Sequence, residues 1–320
     1  MTSLNTLLLP SDKAGIAQAA ALLADGGLVA LPTETVYGLG ADARAGKAVA
    51  GIYAAKGRPG FNPLIVHVPN SAAAQTYVKW NDAAERLASA FWPGPLTLVL
   101  PLCEGHGIAS LVTAGLDSLA VRCPAHPVAQ ALLTAFNGPI AAPSANPSGK
   151  ISPTTAAHVL EGLSGKIDAV LDGGSTEIGL ESTIVGLTGL GQTGAPTLLR
   201  HGSITREMLE AALGAELHEA TTPAAITAPG QLASHYAPDA ALRLNVTATE
   251  QGEALLGFGP VENATLNLSP AGDLREAAAN LFAMLRELDA TEVKIAVSPI
   301  PAHGIGLAIN DRLIRAAAPR

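Results

Sequence analysis

The chain has 320 residues, 48% of them hydrophobic and 14% charged, with a formal net charge of −8. A charged fraction so far below the roughly 25% of an average soluble protein excludes a disordered, self-repelling chain. The acidic balance and an aromatic content of 3% argue against a nucleic-acid coat protein, a polybasic membrane binder or a stacking platform for single strands. The two cysteines, Cys103 and Cys123, make neither a disulfide framework nor a zinc cluster. No apolar run is long enough to span a membrane, and the N-terminus lacks a secretory pattern. A compact, cytoplasmic protein without a protein-bound metal is expected.

In chain order, Ser11 and Asp12 cap an Ala/Leu-rich helix that stops at Gly26-Gly27, and 28–31 then reads as a buried strand. A helix over about 45–55 and a strand over 64–68 follow. Further strands are expected at 96–100, 119–122, 140–142, 169–171, 183–187 and 197–200, with helices at 127–136, 153–160 and 205–213. Residues 221–238 contain no lysine, arginine or acid, hold Pro223, Pro229 and Pro238, and read as a linker. Beyond it come expected strands at 242–246, 254–258 and 265–268, a helix at 273–288, a strand at 293–297 and a last helix at 310–317. The organisation expected is therefore a first domain over 1–220, a linker over 221–238 and a small α/β domain over 239–320.

Charge is unevenly placed. Between Ala43 and Asn81 there is no Asp or Glu, yet Arg44, Lys47, Lys56, Arg58 and Lys79 all fall there, which suggests an anion site. Arg44, Lys47 and Lys79 read as a solvated surface. Lys56 and Arg58 differ: they flank Gly57 and precede Pro59-Gly60 and Pro63, a stiff cationic loop of the kind that holds phosphate. Familiar nucleotide motifs are missing. Gly149-Lys150 is followed by Ile151 and lacks the upstream glycine of a phosphate loop, and Gly38-Leu39-Gly40 is not followed by the acid a dinucleotide site needs. No serine-nucleophile elbow occurs.

Pro32-Thr33-Glu34-Thr35-Val36-Tyr37-Gly38-Leu39-Gly40, Lys56-Gly57-Arg58-Pro59 with Asn62-Pro63-Leu64, and Pro143-Ser144-Ala145-Asn146 occur in that order, followed by His235-Tyr236-Ala237-Pro238 and Asn310-Asp311-Arg312-Leu313-Ile314-Arg315. Together they resemble the YrdC-like threonylcarbamoyl-AMP synthase family in its long, two-domain form, and the likeness covers nearly the whole chain. The resemblance implies an open, twisted, mixed α/β sheet with a concave cationic cavity, plus a small C-terminal α/β domain. It implies that L-threonine, bicarbonate and ATP, with Mg2+ accompanying the triphosphate, give threonylcarbamoyl-AMP and pyrophosphate. That product supplies the threonylcarbamoyl group placed on the adenosine beside the tRNA anticodon by a downstream threonylcarbamoyl-transferase machinery.

By the same resemblance Lys56, Arg58, Ser144 and Asn146 are catalytic, the cations meeting carbamate and phosphate charge and Ser144 and Asn146 donating hydrogen bonds at the reacting centre. ATP is implied to touch Arg58, Asn62, Ser118, Ser144, Ser152, Arg200 and Tyr236. L-threonine is implied to touch Thr35, His67, Arg122, Ser182 and the backbone near Ala142, with Arg122 holding the carboxylate bidentately. Read without the resemblance, Ser144 is a turn residue, His67 a core histidine on the opposite strand face from Leu64, Val66 and Val68, Arg122 a strand-end surface arginine, and Ser182 an edge serine. One departure stands out: relatives often carry a cation just before His-Tyr, whereas here the segment is Gln231-Leu232-Ala233-Ser234. Phosphate neutralisation by the linker would have to come from His235 or from backbone donors. The linker is expected to fold over the cavity as a lid, with Tyr236 contacting ATP and 239–320 anchoring its far end.

Three rivals are weighed. A double-stranded RNA or tRNA-binding module without adenylate chemistry follows from the family's concave basic face, which also leaves weak tRNA binding open; the net charge weighs against it. A hydrogenase-maturation carbamoyltransferase needs zinc-binding cysteines this chain lacks. A regulatory protein with a dead site is disfavoured by the intact Lys56/Arg58 and Ser144/Asn146 pairs.

Overall fold

The apolar runs of the first 219 residues pair into a single sheet. The structure, a computed structural model, describes residues 4–189, 195–219, 234–291 and 294–319. Its strands in this part are β1 (Leu7–Pro10), β2 (Val29–Leu31), β3 (Gly38–Asp42), β4 (Ile65–His67), β5 (Leu96–Pro101), β6 (Ser118–Arg122), β7 (Ile140–Ala141), β8 (Ala169–Asp172), β9 (Thr183–Gly186), β10 (Thr197–Arg200) and β11 (His218–Glu219). The helices are α1 (Lys13–Ala24), α2 (Gly46–Lys56), α3 (Ser71–Ala74), α4 (Asp82–Phe91), α5 (Ser110–Thr113), α6 (Pro127–Phe136), α7 (Ala156–Leu163) and α8 (Arg206–Leu213). Among the described residues the sheet order is β1-β8-β2-β3-β7-β4-β6-β5-β9-β10-β11. Parallel and antiparallel neighbours mix: β4 and β6 are parallel, whereas β7 runs antiparallel to β3 and β4, and β5 antiparallel to β6.

Register decides what the sheet can do. His67 of β4 stands opposite Arg122 of β6, and Arg122 opposite Thr97 of β5. Side chains alternate along a strand, so Leu64, Val66 and Val68 enter the main core beneath the sheet while His67 turns to the other face. One row back on that face, Ile65, Val99 and Ala120 form an apolar cluster with Ile184. The sheet thus presents a polar row with an apolar row behind it.

The second part is an all-parallel sheet of order β12-β15-β13-β14, made of β12 (Ala241–Arg243), β13 (Ala254–Gly257), β14 (Leu266–Asn267) and β15 (Lys294–Val297) and packed by α9 (Leu274–Thr291) and α10 (Ile305–Ala317). Its core extends into the first part: Val36, Ile151 and Leu180 pack in one cluster with Tyr236, Leu281, Phe282 and Ile309. Polar contacts cross at the same place. Arg286 bonds the carbonyl of Ile151 and pairs with Glu161 at 3.2 Å, Arg312 pairs with Glu181 at 2.9 Å, and Lys150 pairs with Asp239.

The mixed α/β sheet with a small second α/β unit matches the expectation, but several elements differ in detail. Strand β3 is absent from the sequence-derived pattern, in which Gly38-Leu39-Gly40 figures only as motif residues. Its glycines instead permit close approach: a Cβ on Gly40 would lie 2.9 Å from Ile140 Cγ2 and 3.0 Å from Leu31 Cδ2. Strand β1 and helix α4 are likewise additional. Helix α7 starts at Ala156, where Thr155 caps it, and α10 starts at Ile305, well before Asn310. Most of the expected linker, residues 221–233, lies outside the described residues.

Candidate active site

The polar row of the sheet forms one wall of a half-open cavity of about 540 Å3, the solvent at its mouth included. Thr35, His67, Arg122, Ala142 and Ser182, the five residues implied for threonine, all line it. Thr35 is held by Thr33, whose hydroxyl bonds Thr35 Oγ1 at 2.8 Å and donates to the carbonyl of Val36 at 2.7 Å. Ser182 Oγ meets Thr97 Oγ1 at 2.7 Å and accepts from Arg200 Nη2 at 3.1 Å. Arg122 is buried, with Nη2 on Glu34 Oε1 at 2.7 Å and Nε on the carbonyl of Gly94 at 3.3 Å. Those bonds hold its plane and leave Nη1 as the nitrogen with no bond among the described residues. Burial, helped by Arg122, pushes the pKa of His67 down to about 3, so this ring is neutral at pH 7 and its buried Nδ1 has no partner.

Of the residues implied for ATP and catalysis, Arg58, Ser144, Arg200 and Tyr236 line the same cavity. Helix α2 ends at Gly57, whose left-handed φ of 61° turns the chain so that Lys56 and Arg58 diverge. Arg58 donates from Nε to the carbonyl of Asn62 and from Nη2 to that of Pro63; burial lowers its pKa to about 10, which keeps it charged at pH 7. Arg200 donates from Nε to the carbonyl of Ser182 at 3.0 Å. Tyr236 has a φ of 62°, uncommon for a bulky side chain, and packs between Phe282 (stacked, 5.6 Å) and His235 (edge-on, 4.0 Å). His235 also lines the cavity, but burial drives its pKa to about 3. His235 is therefore neutral at pH 7 among the protein's own groups; of the two sources the sequence left open for the linker, His235 or backbone donors, this favours the backbone.

Lys56, Asn62, Ser118, Asn146 and Ser152 do not line the cavity, and each has a different place. Lys56 is not in a polar loop: it is the buried end of α2, and its ammonium donates to the carbonyls of Ser144 (2.6 Å) and Asn146. Burial, then Arg58, lowers its pKa well below the ordinary lysine value. Asn146 spends its amide hydrogens on the carbonyls of Pro147 and Lys150, both at 2.8 Å, so the amide nitrogen shapes its own loop rather than facing a reacting centre. Asn62 is buried with both side-chain polar atoms unpartnered. Ser152 stands behind the wall, donating to Glu181 Oε1 at 2.5 Å. Ser118 is at the far end of β6 on the face of Arg122, about 13 Å along the strand from it.

Two acids belong to the site and carry no signal at the sequence level beyond their neighbours. Glu34 bridges Arg122 and the backbone N–H of Ala125. Glu181 lines the cavity between Ser152 and Arg312. Among the described residues no three His, Cys, Asp or Glu side chains stand together as a metal site, and Glu181 is already engaged, so these residues do not form a dedicated Mg2+ site.

Residues 21–202 match a family model described as "Telomere recombination", and 204–318 match one described as "Threonylcarbamoyl-AMP synthase, C-terminal domain". A threonylcarbamoyl-AMP synthase of Pyrococcus abyssi is 41% identical over 94% of each chain, and one of Bacillus subtilis is 40% identical over 98% of this chain and 95% of its own. The chain belongs to the threonylcarbamoyl-AMP synthase family. In three dimensions it superposes on the Pyrococcus abyssi Sua5 protein solved with L-threonine, with a TM-score of 0.88, 38% identity, and 98% and 97% of the two chains covered. Both parts of the chain and their mutual packing thus have a counterpart in one solved relative.

Proposed function

We propose that this cavity is where L-threonine, bicarbonate and ATP become threonylcarbamoyl-AMP and pyrophosphate. The activity is a nucleotidyl transfer that serves threonylcarbamoyladenosine formation in tRNA. The threonine amine, as free base, forms an N–C bond to bicarbonate as water leaves. An oxygen of the resulting carbamate then bonds to the α-phosphorus of ATP in line, and the bond to pyrophosphate breaks. Positioning and charge neutralisation are what such a transfer demands of a protein.

Threonine lies on Thr35, His67, Arg122, Ala142 and Ser182, its carboxylate on Arg122 Nη1. Neutral His67 can accept from the amine without setting a second positive charge against it. The triphosphate lies on Arg58, Ser144 and Arg200, with Asn62 and Ser152 behind them. The apolar row toward Ser118 accommodates adenine. Mg2+ arrives with ATP, held by the triphosphate's own oxygens. Lys56 and Asn146 shape the Ser144 loop. The division into 1–220, 221–238 and 239–320 is part of the same proposal, with 221–238 as the lid. Supporting it are the last strand of the first sheet at Glu219, the first of the second at Ala241, and the strained Tyr236 in the cavity wall. The reaction runs in the cytoplasm, and its product passes to a tRNA threonylcarbamoyl-transferase.

One observation carries this reading: the threonine residues converge with Arg58, Ser144, Arg200 and Tyr236 on one cavity. RNA binding in place of this chemistry is not favoured, since Lys56 and Arg58 turn inward and Arg44 is paired with Asp42. The test is mass spectrometry of products from ATP, bicarbonate and a panel of amino acids. Pyrophosphate release is expected to need both bicarbonate and threonine, with threonine preferred over serine by about 1–3 kcal/mol for its methyl group. Equal turnover of serine, or release without bicarbonate, would sink the reaction.

A further inference from the structure

Arg312 is among the largest side chains with no appreciable exposure, and it comes from α10 of the small domain. Its Nε donates to Glu181 Oε2 at 2.9 Å, its Nη1 to the carbonyl of His201 and to Asp311 Oδ2, both at 2.9 Å, and its Cζ lies 5.5 Å from the centre of the Tyr236 ring. Glu181 in turn accepts from Ser152 and forms part of the cavity wall. Burial alone would raise the Glu181 pKa, but Arg312, Arg200 and the Ser152 bond together bring it below the ordinary carboxylate range. The wall therefore contains an ionised acid where a polyanion is to bind.

We infer that Arg312 is a positioning residue for the nucleotide half of the cavity: it ties the Glu181 carboxylate back, cancels its charge against the incoming phosphates, and braces the ring of Tyr236 from behind. This rests on the assignment of ATP to the cavity. Arg312 does not line the cavity, so it acts through Glu181 and Tyr236. Without the guanidinium, a buried anion would face the triphosphate and repel it. Threonine, which meets the Arg122 side of the cavity, would not feel this. The small domain thereby contributes electrostatics as well as support.

The test uses the full-length protein and calorimetric titration of ATP and of threonine separately, with thermal melting alongside. Arg312→Met is expected to weaken ATP binding at least tenfold and to leave threonine within twofold. Arg312→Lys, which keeps the charge without the fork, should fall between. The decisive variant is the double substitution Arg312→Met with Glu181→Gln, which removes the stranded charge and should recover most of the lost ATP affinity. Equal loss of both ligands in step with melting temperature, or a double variant no better than Arg312→Met, overturns the inference. Should Arg312→Met not fold, Glu181→Gln alone decides: Gln still reaches Arg312 and Ser152 but carries no charge, so ATP must bind more tightly than to wild type, and unchanged affinity overturns the inference. Absence of ATP binding to wild type would overturn the underlying reading as well, whereas ATP binding unaffected by these variants overturns this inference alone.

Discussion

Lys56 ends α2 with its ammonium against two buried carbonyls, so its substitution removes a strut as well as a charge. Lys56→Met is expected to cost about 1–3 kcal/mol for each carbonyl left without a donor, read as a lower urea midpoint, and to lower turnover because Ser144 shifts. A melting temperature equal to wild type would show that the Ser144 loop holds itself. The two cavity histidines make a second residue-scale prediction. Their folded pKa values of about 3 lie below the unfolded value of about 6.5, so the unfolded state binds more protons as pH falls. The stability they confer is complete above pH 6.5 and lost from there down toward pH 3. At pH 5 each should cost about 2 kcal/mol. His67→Gln and His235→Gln are each expected to flatten the fall in melting temperature between pH 7 and 5, and an unchanged slope in both would show that the acid sensitivity lies elsewhere.

At the scale of elements, strand β3 sits between β2 and β7 with no room above Gly40. Gly40→Ala should therefore cost about 1–3 kcal/mol through overpacking, measured by chemical denaturation; a neutral effect would mean that Ile140 and Leu31 move aside freely. The same strand shows why reading order from sequence has limits. Glycine at 38 and 40 signals a loop locally, and only the neighbouring strands, Val29–Leu31 and Ile140–Ala141, reveal a tight central strand. Helix α4 is a different case: Asn81 caps it, Asp82 and Glu85 lie in its first turn, and its buried positions Ala83, Ala84, Leu87 and Ala88 share one face, so its signals are present in the sequence although the expected pattern omits them. By contrast Thr35, His67, Arg122, Ala142 and Ser182 come together on one cavity, although only the family resemblance, and no local pattern, singles them out. Glu34 and Glu181 are not singled out at all, since their partners are 88 and 131 residues away and no local spacing encodes such pairs. Of the five cations in the acid-free stretch, Arg58 lines the cavity, Lys56 is buried against the Ser144 and Asn146 carbonyls, and Arg44 is spent on Asp42.

For the molecule as a whole, the core that joins the two parts matters more than the number of sheets. Val36, Ile151, Leu180 and Tyr236 pack among the apolar side chains of α9 and α10, and Arg286 and Arg312 cross the same boundary with buried or half-buried bonds. Two units that share a core should not melt separately. Scanning calorimetry of the full chain is expected to give one transition with equal calorimetric and van't Hoff enthalpies. Two resolved peaks would mean that the shared cluster is energetically slight and that the small domain is a loosely held attachment.

The shared cluster also bears on how such a protein can change over evolution. A chain whose domains are beads on a string can shed one and keep the other. Here Val36 itself lines the cavity and Leu180 precedes Glu181, which also does, and both pack against the core of the small domain. Losing residues 239–320 would expose apolar surface on the back of the catalytic wall itself. A one-domain descendant would have to acquire polar residues at 36, 151 and 180 before, or together with, the loss, and would need another counter-charge for Glu181 or a neutral residue in its place. The two halves are thus not interchangeable modules but a single inheritance.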